Sequence, residues 1–542
     1  MPEPMATKVL IKPNSYYDSL VLMRISTLMM QLPGVTDAAM LMATEQNKRS
    51  VGNPDLLSDE VQAAGPDDLL IVVLAQTEQQ AQAALDFAVD TLTADRSPGI
   101  GRPITAVHTL DSALRGRPDA NLVILSVPGR YVRREALKAL DAGLNLLIFS
   151  DNVPLTQEIE LKQMAQERGL LVMGPDCGTA IIAGAALGFA NAVRRGGIGL
   201  VGASGTGLQE VSCLIHRLEQ GVSHAIGTGT HDVDAEVGGI TMLEGIRRLE
   251  GDPGTRVIII VSKPPAPSVI RHVMQVVETC QKPVVVNFLD GDPEVVAAAG
   301  GIVAYTLEDA AIKAVAASTG EEESAIRERF LSEVKDTSLL ARKVRADLSE
   351  AQRYVRGLFS GGTFANEAAM LLRDWIGSVY TNGRVKGTSP LSDPRKSVGH
   401  TCVDLGDDVF TVGRPHPMLE PIVRRERLLA EAADPETAVI LLDVVIGYSA
   451  HPDPAGELVR YIMEARESAE AKGRTLPLVA SVCGVDGDPQ SRATQAQVLE
   501  EAGVLVMPTN AQATALAVRI ATGVTAGALN RKEQADGHRR VA

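Results

Sequence analysis

The feature that most restricts the fold is an internal duplication in the second part of the chain. Ser204-Gly205-Thr206 followed by Glu210 recurs as Gly361-Gly362-Thr363 followed by Glu367, and Met242-Leu243-Glu244 recurs as Met418-Leu419-Glu420. Asp252-Pro253 with Val257-Ile258 returns as Asp434-Pro435 with Val439-Ile440. Asp290-Gly291-Asp292-Pro293 returns as Asp486-Gly487-Asp488-Pro489. Matches in the same order predict two α/β domains of one ancestry, at 195–318 and 354–528, each a flavodoxin-like parallel sheet flanked by helices.

Each copy opens on the same device. Ile198, Leu200 and Val201 suit a buried strand, Gly202 to Gly207 form a small-residue turn, and Leu208, Val211 and Leu214 follow at helical spacing. A strand passing through glycines into a helix leaves several N–H groups unpaired, and the helix dipole adds positive potential there. The expected phosphate contacts are Ser204, Gly205, Thr206 and Gly207 in the first copy and Gly361, Gly362 and Thr363 in the second. No Gly-Lys-Ser/Thr closes the turn, so it is not a Walker A loop. One such turn fits a ligand-free strand–helix connection equally well. Two copies packed about a pseudo-twofold axis would converge on one anion, unless one copy has become scaffold.

A length of 542 residues allows roughly three to four domains. A hydrophobic share of 45% with 22% charged residues is that of a soluble globular protein, and aromatic residues at 3% leave Ala, Val, Leu and Ile to build the core. The net charge of −15 argues against nucleic acid and anionic membranes as partners. No apolar run reaches spanning length and no signal-peptide profile opens the chain, so a cytoplasmic protein is expected. The five cysteines are scattered without a CxxC pair, and the nine histidines form no HxxxH pair, so no metal site is expected.

Ahead of the repeats, residues 1–100 predict a ferredoxin- or ACT-like unit: strands at Lys8–Lys12, Asp37–Met42 and Leu69–Leu74, with helices at Asp18–Gln31 and Glu78–Leu92. A linker is expected at 93–103. Residues 104–192 alternate strands (Ala120–Val127, Leu144–Phe149, Leu170–Met173) with helices, which implies parallel right-handed crossovers. Asp176 follows the last of these strands, where ligands of such sheets collect. A charged helical linker is expected at 319–353 and a frayed polar tail from Asn530.

The run from Asp119-Ala120-Asn121 to GPDCGTAIIAG resembles the second half of the CoA-binding domain of succinyl-CoA synthetase α chains, and GIGLVGASGTGLQEV and CVDLGDDVFTVGRPHPMLEP resemble its ligase domains. On DLGDD, TVGRPHPM and LLDVVIG the chain is identified as a member of the FdrA family, related to NDP-forming acyl-CoA synthetase α subunits. The resemblance implies a Rossmann-like CoA-binding remnant at 104–192 ahead of the two succinyl-CoA-synthetase-like domains.

The chain departs from those ligases where they carry phosphate on a histidine of a Gly-His-Ala-Gly turn. The segment compared with it, Val296-Ala297-Ala298-Ala299-Gly300-Gly301, has none. No glycine-rich nucleotide loop opens the CoA-binding region, because residues 1–95 stand where its first half belongs, and no ATP-grasp domain is present. A phosphohistidine relay needs its imidazole, so a noncovalent phosphate site is expected. Lys263, in Ser262-Lys263-Pro264, takes the place of the acidic partner as a point-charge donor. Arg414 offers a planar fork for phosphate or carboxylate, and His416 completes the expected catalytic set. His231, His451 and Asp176 are accessory candidates.

The resemblance implies a subunit of an oxamate carbamoyltransferase in allantoin breakdown, turning oxalurate and phosphate into oxamate and carbamoyl phosphate together with other subunits. It implies an oligomer with no tightly bound cofactor and little or no affinity for CoA. Two alternatives stand beside it: an acyl-CoA synthetase α-type subunit needing a separate ATP-grasp partner, and a noncatalytic scaffold whose N-terminal unit binds an effector.

Overall fold

The computed structural model describes residues 6–524 apart from 14, 16, 18, 31, 44–46, 49–58, 66–67, 95–108, 333–336 and 413. The linker expected at 93–103 lies outside the described residues beyond Ala94, as does the tail from Asn530. Two compact units are distinguished: residues 1–113 with 411–415, and residues 114–410 with 416–542.

The first unit runs β1 (Ala6–Lys12), α1 (Ser19–Met30), β2 (Val35–Met42), α2 (Asp59–Ala63), β3 (Leu69–Ala75) and α3 (Glu78–Ala94). β3 lies centrally, antiparallel to both neighbours in the order β1-β3-β2. Its run LLIVVLA is apolar throughout because both faces are covered. Leu22, Ile25 and Met29 of α1 pack on one face with Ala84, Leu85 and Ala88 of α3, and Val61 and Ala64 cover Leu70 and Val72 on the other. This is the βαββα part of the sandwich that the strand spacing predicts.

The second unit opens with a parallel sheet of β4 (Leu122–Leu125), β5 (Asn145–Ile148) and β6 (Val172–Met173), crossed by α4 (Gly129–Asp141) and α5 (Leu155–Glu167). Next come β7 (Thr179–Ile182), β8 (Ala185–Gly188), β9 (Arg195–Gly202), α6 (Gly205–Arg217), β10 (Val222–Gly227), β11 (Val257–Ser262), β12 (Val284–Phe288), α7 (Pro293–Ala298), β13 (Ile302–Val303) and α8 (Leu307–Thr319). After α9 (Glu323–Leu331) and α10 (Thr337–Ala346), the second copy has β14 (Tyr354–Phe359), α11 (Gly362–Ile376), β15 (Val379–Thr381), β16 (Ser389–Pro390), β17 (His400–Asp404), β18 (Thr437–Val445), β19 (Leu478–Cys483), β20 (Leu505–Met507) and α12 (Asn510–Thr522).

The duplication is visible in the topology. The first sheet has the order β13-β12-β11-β9-β10-β7-β8, and the second, from its matching edge, β20-β19-β18-β14-β17-β15-β16. Five strands take the same places and are all parallel. The outer pairs differ: β15 and β16 continue parallel, whereas β7 is antiparallel to β10 and forms a hairpin with β8. The β7–β8 hairpin comes from the segment read as part of 104–192, yet it completes the sheet of the next domain. It covers β10, whose row of N–H and C=O groups would otherwise be open.

Central strands of parallel sheets are buried on both faces, which explains the fully buried VIIIVS of β11 and TAVILLDVV of β18. The two copies share one core. Leu208, Val211 and Leu214 of α6 join Phe364, Ala365 and Ala368 of α11, with Ala310 of α8 and Leu516 of α12 in the same cluster. The charged linker is docked rather than free, because Ile326 and Ala341 on its inner side enter that core. Among the described residues no helix is long and apolar enough to cross a membrane.

Candidate functional site

Parallel strands deliver every loop at their C-terminal ends to one side, and there the two duplicated turns meet. Ser204 Oγ and Thr363 Oγ1 are 2.6 Å apart. A Cβ built on Gly361 would stand 2.8 Å from Thr206 Cγ2, so glycine there lets the second turn come this close to the Thr206 side chain. The helix starts of α6 and α11 therefore abut.

The two turns are not equivalent. In the second, the Asp443 carboxylate accepts from Ser360 N (2.8 Å), Ser360 Oγ (2.9 Å) and Gly361 N (2.8 Å), and Arg424 Nη2 lies 3.2 Å from it. All these groups are buried. The chain has placed its own anion against the two residues that lead into that helix, while the Gly362 and Thr363 amides have no acceptor among the described residues. The repeat aligns Asp443 with Val261, so the first turn has no such carboxylate. There Ser204 caps α6 by accepting from Gly207 N at 3.2 Å, which engages two groups expected to serve the ligand. The amides of Gly205 and Thr206 have no acceptor among the described residues, and a Cβ on Gly205 would meet only Thr179 Oγ1, at 3.4 Å.

Lys263 leaves the end of β11 and faces two carboxylates. Asp404, at the end of β17, is raised to about 6 by burial, with Lys263 and the Gly406 amide opposing the rise. Asp176 reaches solvent but is ringed by protein, and this burial raises it against the opposing pull of the Thr230 hydroxyl and Lys263. His416 is held near 4 by burial. Its Nδ1 accepts the Met418 amide at 3.3 Å, its ring packs 6.3 Å from Phe189, and the remaining proton of the neutral ring belongs on Nε2. A Cβ on Gly406 would lie 2.6 Å from His416 Nε2 and 3.1 Å from Asp404 Oδ1, so both line one loop.

Ser204 to Gly207, Gly361 to Thr363, Lys263, Asp176 and His416 thus border one cleft. His231 is at its margin, paired with Asp234 at 2.8 Å and next to Thr230, which binds Asp176. His451 is turned to its own loop: its Nδ1 accepts the Asp453 amide at 3.1 Å, and Glu420 is its charged neighbour. Arg414 groups with the first unit, where its amide bonds the Thr411 carbonyl.

Three participants escaped the sequence reading. Asp404 sits in the DLGDD string, and Asp443 is a lone carboxylate inside the apolar run ILLDVVIG, itself a sign of a buried partner. The third is Lys162, fully buried between Glu158 (2.8 Å) and Asp232 (2.7 Å) and bonded to the Thr228 carbonyl. Asp232 also accepts from Thr241 and Met242, so this cluster fixes the loop bearing Thr230 and His231.

The segment compared with the phosphohistidine turn needs correction. Val296 to Ala298 close α7, and Ala299 to Gly301 lead into β13, at the opposite end of the sheet from the cleft. The loop leaving β12 at its other end is Leu289 to Asp292, which also lacks a histidine and bonds Arg373 and Lys386 through Asp290. A separate cavity of about 780 Å³ lies between α8, α9, α11 and α12 and contains Tyr305, Arg327 and Trp375; none of the cleft residues lines it.

Family models match three segments: "AllF, heavy metal-associated domain" at 5–102, "CoA binding domain" at 194–290 and "CoA-ligase" at 358–520. YahF of Escherichia coli (strain K12) is 44% identical over 93% of this chain and 96% of its own. Succinate–CoA ligase [ADP-forming] subunit alpha 2 of Archaeoglobus fulgidus is 25% identical over 32% of this chain and 61% of its own. Among solved structures, ATP citrate lyase from Methanothrix soehngenii aligns with 80% of this chain and 86% of its own at 13% identity and a TM-score of 0.34. The first description implies a heavy metal, which the residues do not fit. Segment 5–102 contains neither cysteine nor histidine, and no cluster of three His, Cys, Asp or Glu suited to a metal occurs among the described residues.

Proposed function

Because the chain belongs to the FdrA family, with an AllF-type N-terminal domain followed by the CoA-binding and CoA-ligase domains of acyl-CoA synthetases, we propose that it is the phosphate-binding subunit of a carbamoyltransferase. The reaction is phosphorolysis of an oxalurate-like N-acyl urea to carbamoyl phosphate and an oxamate-like amide, with other subunits completing the substrate site. One observation carries the reading: the Gly205 and Thr206 amides at the first helix start have no acceptor among the described residues, and that copy has Val261 where the second has Asp443 against the Ser360 and Gly361 amides.

Phosphate would accept the Gly205 and Thr206 amides and the Thr206 hydroxyl, with the Lys263 ammonium beside it. Such preorganised donors hold the nucleophile in place and need no reorganisation during attack. The contact of Thr206 with Gly361 leaves little room for the diphosphate and pantetheine of CoA at this turn. The test is to supply oxalurate and labelled phosphate to the protein with and without its partner subunits. Label in carbamoyl phosphate, dependent on the partners, is the expected result; none under any combination refutes the reading.

A second reading has its own support, since the match at 194–290 is to a CoA-binding model and the partial relatives are named as CoA ligases. It predicts micromolar CoA affinity by calorimetry and acyl-CoA formation with an ATP-grasp partner. The carbamoyl reading predicts neither.

A further inference from the structure

We propose that Asp404 carries the proton of this reaction, as base toward phosphate and then as acid toward the departing nitrogen; the inference rests on the carbamoyl-transfer reading of the cleft. The two carboxylate oxygens of Asp404 are differently placed. Oδ1 accepts the Gly406 amide at 2.9 Å, and the Asp404 amide donates to Asn382 Oδ1 at 2.8 Å, so the group is fixed. Oδ2 has no hydrogen bond among the described residues. A Cβ on Gly362 would stand 2.3 Å from it, so this oxygen overlooks the start of α11, where that helix meets the open turn of α6. A held carboxylate with one free lone-pair edge is the geometry a proton carrier needs.

The surroundings suit the task. Lys263 faces Asp404 from the first copy, Asp407 and Asp443 face it from the second, and His416 Nε2 borders the same loop. Among the described residues no salt bridge neutralises Asp404, unlike Asp443 with Arg424. Burial therefore moves it up to about 6, close to the working pH of a general acid–base. Asp176 is less suited, because its Oδ2 already binds Thr230.

The step balances without a co-reactant. An oxygen of hydrogen phosphate bonds to the carbamoyl carbon while its proton passes to Asp404 Oδ2. The carbon–nitrogen bond to the oxamate fragment then breaks, its electron pair stays on nitrogen, and the Asp404 proton completes the amide.

The test uses the reconstituted complex with phosphate and oxalurate. Asp404→Asn keeps the shape and the bond from Gly406 but cannot take a proton. It is expected to lower kcat by about a hundred- to ten-thousandfold, the usual worth of a general acid–base, with phosphate KM changed less than threefold. The acidic limb of the wild-type kcat/KM profile, near pH 6, should disappear. Asp404→Ala should regain rate with added formate, which a purely structural role would not allow. A wild-type complex that turns over while Asp404→Asn keeps its rate within threefold, or retains the limb, overturns this assignment alone. A wild-type complex that forms no carbamoyl phosphate overturns the function and the assignment together.

Discussion

Replacing Asp443 with Asn tests the internal anion of the second turn. The carboxylate accepts three hydrogen bonds from Ser360 and Gly361 and stands 3.2 Å from Arg424, with the two side chains 0% and 5% exposed. Asn can still accept on one oxygen, but its amide nitrogen faces donors and Arg424 is left buried without a counter-charge. Removing one member of a buried pair costs about 3–5 kcal/mol. At 1.36 kcal/mol per decade, that opens the turn leading into α11 roughly a hundred- to several-thousandfold more often. The assay is amide hydrogen exchange of the peptide covering 358–365, compared with the first turn as internal control. Arg424→Met and the double variant complete a cycle, in which the double should lose much less than the sum of the singles. Unchanged exchange at 358–365 in Asp443→Asn, or simple additivity in the cycle, would refute the claim that this pair seals the turn.

Glu210 and Glu367 occupy equivalent buried positions of the two copies, and burial raises both to about 7. The folded state therefore holds protons that the unfolded chain releases from about pH 4.5 upward, and stability falls as pH rises toward 7. Glu210→Gln and Glu367→Gln should raise the thermal midpoint at pH 8 and change it little at pH 5; the reverse order would contradict the sign. In the first turn, Thr206→Ala removes a donor worth about 1.5–3 kcal/mol to a charged ligand, so phosphate affinity by calorimetry should drop roughly ten- to a hundredfold. Gly205→Val, which has room to fold, should weaken it further by covering the amides; wild-type affinity there would move the anion elsewhere. Lys162→Met strands Glu158 and Asp232 in the interior and should cost about 3–5 kcal/mol, read as a lowered denaturation midpoint.

The sequence by itself determined the duplication, the strand–glycine–helix turns and the alternation of strands and helices, because these are local patterns with their own periodicity. Ordered matches such as Asp252-Pro253 with Asp434-Pro435 need no knowledge of contacts, and the five shared strand positions follow from them. The same locality explains what was not legible. That Ser204 bonds Thr363, that β7 pairs with β10, and that Asp443 fills one turn are contacts between residues far apart in the chain. Asp404 and Val261 show the limit most clearly. Nothing in DLGDD distinguishes the aspartate that overlooks a helix start from its neighbours, and nothing in the apolar run of β11 announces that a carboxylate is missing there. The asymmetry of the cleft exists only once two copies are packed face to face, because an anion seat is occupied or open according to which side chains the opposing elements bring to it.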